Sequence, residues 1–256
     1  MGGRGSGSGR SSGGGGRPSG PIQLERMSDT QLATFVQRAY GGQIPAGFHD
    51  DPTQRLIHAA GWNGQPKIVT ATQAEAMARK RGAVALYRTV KDNTNTHQSS
   101  QQIADGFRTD TVFSTGGWGG QVYGGGVYFS DSLAGSKSYG HRIHNPPVTI
   151  GAVLNDKAKV ISDVNLRGAG SIGEAWVKSH PKAAKALGCS LNASGSGVKA
   201  SAGALTAMAM AMGYNVVRNE FSGSRAREHY YTILDRTALT TSTKDYYPQK
   251  KGMKGR

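Results

Sequence analysis

The chain has 256 residues, 36% of them hydrophobic and 38 of them Gly, with a net charge of +15. That length suits one sizeable domain with tails or two small ones, and a core of roughly 150–200 residues can bury most of its apolar surface. A single cysteine, Cys189, excludes an internal disulfide framework and a cysteine zinc site, and no apolar run reaches the ~18 residues that a membrane span needs.

Residues 1–20 are Gly, Ser and Arg of low complexity and read as a disordered tail. Residues 21–82 read as a helical segment. Ser28 is a good N-cap, and Leu32, Phe35, Val36 and Tyr40 form one stripe before Gly41-Gly42 stops the helix. A second helix takes in Gln54, Leu56, Ile57 and Ala60 up to Gly61. Lys67-Ile68-Val69 is strand-like, and Thr72 to Arg81 is helical with Ala74, Met77 and Ala78 on one face.

The pattern changes after Gly82. Val84 to Val90 is a buried-type strand, and Ser99 to Phe107 a short helix. A Gly-rich stretch from Gly116 to Gly126 then leads into a strand, Gly126 to Ser130, and a short helix, Ser132 to Tyr139. Val148–Leu154 and Lys159–Ile161 read as strands, and Glu174–Leu187 and Ala200–Met212 as helices, with Ser194–Gly197 as a linker between them. Asn215–Val217 and Tyr230–Leu234 are late strands, and residues 241–256 a basic tail. Short strands interspersed with helices, without strict alternation, predict an α+β fold.

The informative run is Gly124-Gly125-Gly126-Val127-Tyr128-Phe129-Ser130, followed by Ser136-Lys137-Ser138-Tyr139. It resembles the central signature of the poly(ADP-ribose) polymerase branch of the ADP-ribosyltransferases. There a Gly-rich turn enters a Gly-x-Tyr-Phe strand, and a Ser-Lys-Ser helix carries a second Tyr eleven positions after the first. Leu86-Tyr87-Arg88-Thr89 resembles the family's first core strand, which carries His in polymerase-type members and Arg in the toxin-type branch. The resemblance covers residues 83–240. The opening Met1–Ser6 and the segment from Gln54 to Trp62 are similar to bacteriophage-encoded proteins that carry such a domain. The resemblance implies a split β-sheet core, NAD as co-substrate, transfer of ADP-ribose (mono- in the first instance) to a protein or nucleic-acid acceptor, and a host-cytoplasmic or virion-associated location.

Cleaving the nicotinamide–ribose bond leaves an oxocarbenium-like sugar, so a site for this chemistry grips a flat cationic ring and stabilises positive charge. Tyr128 and Tyr139 are the candidate ring clamp, by stacking and cation–π attraction. Ser136 matches the position that bonds the carboxamide. Arg88 offers a planar cation for phosphate or ribose oxygens. Its backbone or that of Thr89, where the family usually has Gly, would hold the carboxamide edge.

The family's glutamate opens a late core strand, here Glu228-His229-Tyr230-Tyr231-Thr232-Ile233-Leu234-Asp235. Aligned through Tyr231–Asp235, the catalytic position falls on Tyr230, with Glu228 two residues earlier on the same strand face. Three readings stay open: Glu228 is the catalytic carboxylate, Tyr230 replaces it and an acidic substrate completes the site, or activity is lost. Glu220 is a second candidate acid, and the acceptor-selecting position two before the catalytic one is another role for Glu228.

Other features read more plainly. His97, His141, His144, His180 and His229 lack metal-ligand spacing, and the Gly-rich stretch lacks a P-loop ending. Cys189 has no base beside it and reads as an inert thiol. Seven of the fifteen net charges sit on residues 1–20 and 244–256. Such tails attract polyanions, nucleic acid included, through the counterion atmosphere and without sequence readout; a virion-associated or nucleic-acid-binding protein with a degenerate transferase fold is the alternative reading.

Overall fold

In the computed structural model the described residues are 21–43, 51–92, 97–109, 125–138, 147–220 and 228–244. The tail 1–20, Gly116–Gly124, Tyr139, His141 and His144 lie outside them. In chain order the elements are α1 (Asp29–Gly41), α2 (Pro52–Ala60), β1 (Lys67–Val69), α3 (Ala71–Ala78), β2 (Ala85–Val90), α4 (Ser100–Thr109), β3 (Val127–Ser130), α5 (Leu133–Ser138), β4 (Val148–Leu154) and β5 (Val160–Ser162). They continue with α6 (Asp163–Arg167), α7 (Ile172–Ser179), α8 (Pro181–Leu187), β6 (Ser190–Leu191), β7 (Val198–Lys199), α9 (Ala202–Ala211), β8 (Val216–Glu220), β9 (His229–Ile233) and β10 (Leu239–Ser242).

Local chemistry starts and stops these helices. Ser28 caps α1 in a reciprocal capping box with Gln31, and Thr70 does the same for α3 with Gln73. Asp51 caps α2 by accepting from the N–H groups of Thr53 and Gln54, 2.8 and 3.2 Å away, with Pro52 at the first helical position. Gly61 ends α2 at φ 71°, a left-handed conformation that glycine adopts without a Cβ clash.

Eight strands form one sheet in the order β1-β10-β4-β2-β3-β9-β8-β5. The terminal pairs β1–β10 and β5–β8 are parallel, and the pairs between them are antiparallel. This is a mixed sheet in an α+β arrangement. Alternation puts Leu86, Val90, Val127, Phe129, Ile150, Tyr231 and Ile233 on a face that packs with Phe107 of α4. The Phe107 and Phe129 rings meet tilted, 5.5 Å between centroids. A second core gathers α1, α2, α7, α8 and α9, and the whole of Ala204–Ala211 is buried in it. Cys189 lies in that core, and burial pushes its thiol up to about 12, which keeps it protonated and inert.

Several elements depart from the sequence reading. Glu174–Leu187 is two helices, because Pro181 cannot donate to the first and instead opens the second. Ser194–Gly197 is not a helix linker but the turn of a hairpin between β6 and β7. The segment 21–82 is not purely helical, since β1 joins the sheet beside β10. Thr241 and Ser242 are fully buried in β10, so the fold runs into the segment read as a tail.

Glu174 stitches this region together, accepting a bond from Lys178 and from the N–H groups of Gly197 (2.7 Å) and Gly170 (2.8 Å). Those donors, Lys178 foremost, hold its carboxyl down at about 2. A depressed folded value means that the contribution to stability is complete above ~4.3, the ordinary Glu range, and is lost as pH falls towards 2. Melts followed by circular dichroism should therefore show Glu174→Gln with a flatter Tm between ~pH 5 and ~pH 2 than wild type.

Candidate functional site

The site begins where β2 and β3 part. The two strands share one registered pair, Tyr87 with Ser130. β2 continues fully paired to β4 on its other side, and β3 fully paired to β9. Beyond the shared pair, the Tyr128 carbonyl is taken by a side chain: Arg88 Nη1 donates to it over 3.0 Å. Arg88 as a whole is partly buried, and its Nε is buried without a partner. Burial pushes the guanidinium down to about 10, while the nearby Tyr128 phenol favours the charged form. It remains a cation at neutral pH, with donor capacity unspent.

Next along β2, Thr89 carries its hydroxyl to the neighbouring helix. Thr89 Oγ1 lies 2.9 Å from Ser136 Oγ on α5 and 3.0 Å from Thr149 Oγ1 on β4. Ser136 and Thr149 are both buried. The two positions expected to hold a carboxamide are thus hydrogen-bonded to each other.

Glu228 stands at the head of β9. Register pairs Ser130 with Tyr230 and Tyr128 with Thr232 across β3 and β9, and alternation puts Glu228 on that same face. Ser130 Oγ donates to Glu228 Oε1 over 2.7 Å, and both side chains are buried. The carboxylate lies against Gly135 of α5, where an added Cβ would sit 1.4 Å from Oε1. Only glycine leaves room for it there. Tyr230 is buried beside Ser130 and faces Asn219 on β8.

The opposite face holds a second polar group. His229 Nδ1 is 2.9 Å from Asp131 Oδ2, and its Nε2 is 3.1 Å from Glu220 Oε2. Arg218 donates to the other oxygen of Glu220. Glu220 is therefore turned away from Glu228, because residues one apart in register point to opposite faces.

Of the residues named from sequence, Arg88 meets the backbone carbonyl of Tyr128, Thr89 and Ser136 meet through their hydroxyls, and Glu228 reaches α5 one residue from Ser136. Tyr139 lies outside the described residues, and Glu220 belongs to the other face. Sequence reading passed over Ser130 and Gly135. Ser130 was legible as the position two beyond Tyr128 on the same strand face. No local signal marks Gly135. Among the described residues no three His, Cys, Asp or Glu side chains gather as metal ligands, and no helix is long and apolar enough to cross a membrane. Comparison with protein-family models, with curated proteins and with solved structures returned no match.

Gly135→Ala should keep the fold, since the atoms in its way end a flexible side chain, but it should push Glu228 off Ser130. Losing that charge-assisted bond costs about 1–3 kcal/mol, or some 2–4 °C in Tm per kcal/mol. Ser130→Ala should then cost less in the Gly135→Ala background than in wild type, losing only the bond its hydroxyl accepts from the Ser132 N–H over 2.9 Å, and a double-mutant cycle on Tm checks the coupling.

Proposed function

We propose that the chain is an NAD-dependent ADP-ribosyltransferase that transfers a single ADP-ribose unit to a protein or nucleic-acid acceptor and releases nicotinamide. On this reading the eight-stranded sheet, parted at the single β2–β3 pair, is the split core of that family. The observation that carries it is the run of contacts joining Arg88 to Tyr128, Thr89 to Ser136, and Glu228 to Ser130 beside Gly135. These contacts gather a guanidinium, two hydroxyls and a carboxylate at the seam where β2 and β3 part, Arg88 coming from the face of Leu86 and Val90 and reaching the Tyr128 backbone, the hydroxyls and Glu228 from the face of Ser130. That is the donor set which gripping a dinucleotide and stabilising a cationic sugar require.

Arg88 binds the phosphate or ribose oxygens through its unspent N–H groups. Tyr128 stacks on the nicotinamide ring, with Tyr139 as its partner. The Thr89–Ser136 bond opens, the Ser136 hydroxyl takes up the carboxamide, and the backbone of Arg88 or Thr89 holds its edge. The bond from the ribose anomeric carbon to the nicotinamide nitrogen breaks, and its electron pair leaves with neutral nicotinamide. Glu228 accepts a ribose hydroxyl and stabilises the sugar cation. The acceptor's heteroatom forms the new bond to that carbon and gives up its proton.

Nicotinamide release from NAD tests this reading. Glu228→Gln should lower kcat by about 10²–10³-fold, the scale of removing one preorganised electrostatic group. Arg88→Ala should act chiefly through a raised KM for NAD. Release that is unchanged in both variants would overturn these roles. Release lost in Tyr230→Phe but kept in Glu228→Gln would move the working position to Tyr230.

A further inference from the structure

Two dipeptides cross at one end of the sheet. Ser130-Asp131 leaves β3 as Glu228-His229 enters β9. On one face Ser130 holds Glu228. At the next residue Asp131 holds His229 three times. Its N–H donates to the His229 carbonyl over 3.2 Å, its Oδ1 accepts the His229 N–H over 3.0 Å, and its Oδ2 lies 2.9 Å from the ring Nδ1. The far ring nitrogen meets Glu220 Oε2 at 3.1 Å.

An ionised carboxylate only accepts hydrogen bonds, and a neutral imidazole has a single N–H. Both ring contacts can be satisfied together only when the ring carries two protons. The other groups around the ring fit a cation between acids. Arg218 and Glu220 come from β8, with Arg218 paired to Glu220, and the Tyr231 phenol from β9 lies near Asp131, Arg218 and Glu220. Asp163 of α6 accepts the Glu220 N–H over 3.1 Å. The His229 side chain is 31% exposed, so protons exchange with solvent.

We infer that His229 is a positioning residue: as an imidazolium bracketed between Asp131 and Glu220, it fixes the entry of the chain into β9 and so holds the Glu228 carboxylate against Ser130. Losing one ring proton sets a lone pair against a carboxylate, and one of the two contacts opens. If the Asp131 contact opens, the turn after Ser130 loosens; if the Glu220 contact opens, the ends of β8 and β9 separate. In either case Glu228 loses a fixed neighbour as pH rises through the imidazole's titration. The activity part of the test rests on the transferase reading, and the spectroscopic part does not.

The experiment uses the full chain as wild type, His229→Asn, Glu220→Gln and Glu228→Gln. His229→Asn keeps an amide N–H near the place of Nδ1 and does not titrate. Glu220→Gln keeps the shape but removes one of the two charges. Ring ¹⁵N spectra should show both His229 nitrogens protonated on the acid side. In Glu220→Gln the second proton should leave at a lower pH, because one of the two neighbouring negative charges is gone. In ¹³C-Glu-labelled protein the Glu228 carboxyl signal, assigned by its absence in Glu228→Gln, should follow the His229 deprotonation in wild type but not in His229→Asn. Nicotinamide release should fall on the alkaline side in wild type. His229→Asn should lack that limb, with kcat about tenfold lower and KM for NAD within about twofold, as slight misplacement of a catalytic group produces.

A His229 ring with one bare nitrogen at every pH, or a Glu228 signal indifferent to His229, overturns the inference. If wild type releases no nicotinamide at any pH, the transferase reading fails, and the positioning role is judged on the two spectra alone. Should His229→Asn not fold, Glu220→Gln decides: no change in the ring's titration overturns the inference.

Discussion

The Ser130–Glu228 hydrogen bond is the contact on which the candidate site depends. Ser130 is the residue at which β2 and β3 share their one pair, and its hydroxyl reaches a carboxylate from a strand that begins about a hundred residues later. A buried carboxylate needs donors, since desolvation without them is costly. Here one is a side chain on the neighbouring strand, and the space comes from a missing Cβ on α5. Sheet register, helix placement and carboxylate position are consequently linked through this one contact.

Arg88 carries the complementary tension. Parting two strands leaves backbone groups to be satisfied, and in the interior nearly all such groups find partners. The guanidinium answers part of that demand through the Tyr128 carbonyl and keeps a buried, unpartnered Nε. A buried charged donor without a partner costs stability, because its desolvation is not repaid.

Much of the scaffold was legible because its signals are local. Ser28 before an apolar stripe, Gly61 after one, and the run from Val84 to Val90 each announce an element within a few residues. Pro181 carried its signal too, and splitting the helix there follows from the missing N–H. What stayed hidden depends on separation along the chain. The Thr89–Ser136 contact spans 47 positions, and the space at Gly135 has meaning only once Glu228 is folded against it. The face of Glu220 was likewise unreadable before register was known, because one position in either direction reverses it.

The placement of β10 bears on how the molecule is made. This strand lies between β1 and β4, and β9 lies between β3 and β8. Ribosomal synthesis delivers both after β1, β3 and β4, so until then those three strands expose open hydrogen-bonding edges in a half-built sheet. Such edges invite pairing with other chains, and nonlocal pairing slows folding. The nascent protein therefore passes through a long aggregation-prone interval that closes only when residues 229–242 have left the exit tunnel, the situation in which holding chaperones matter most.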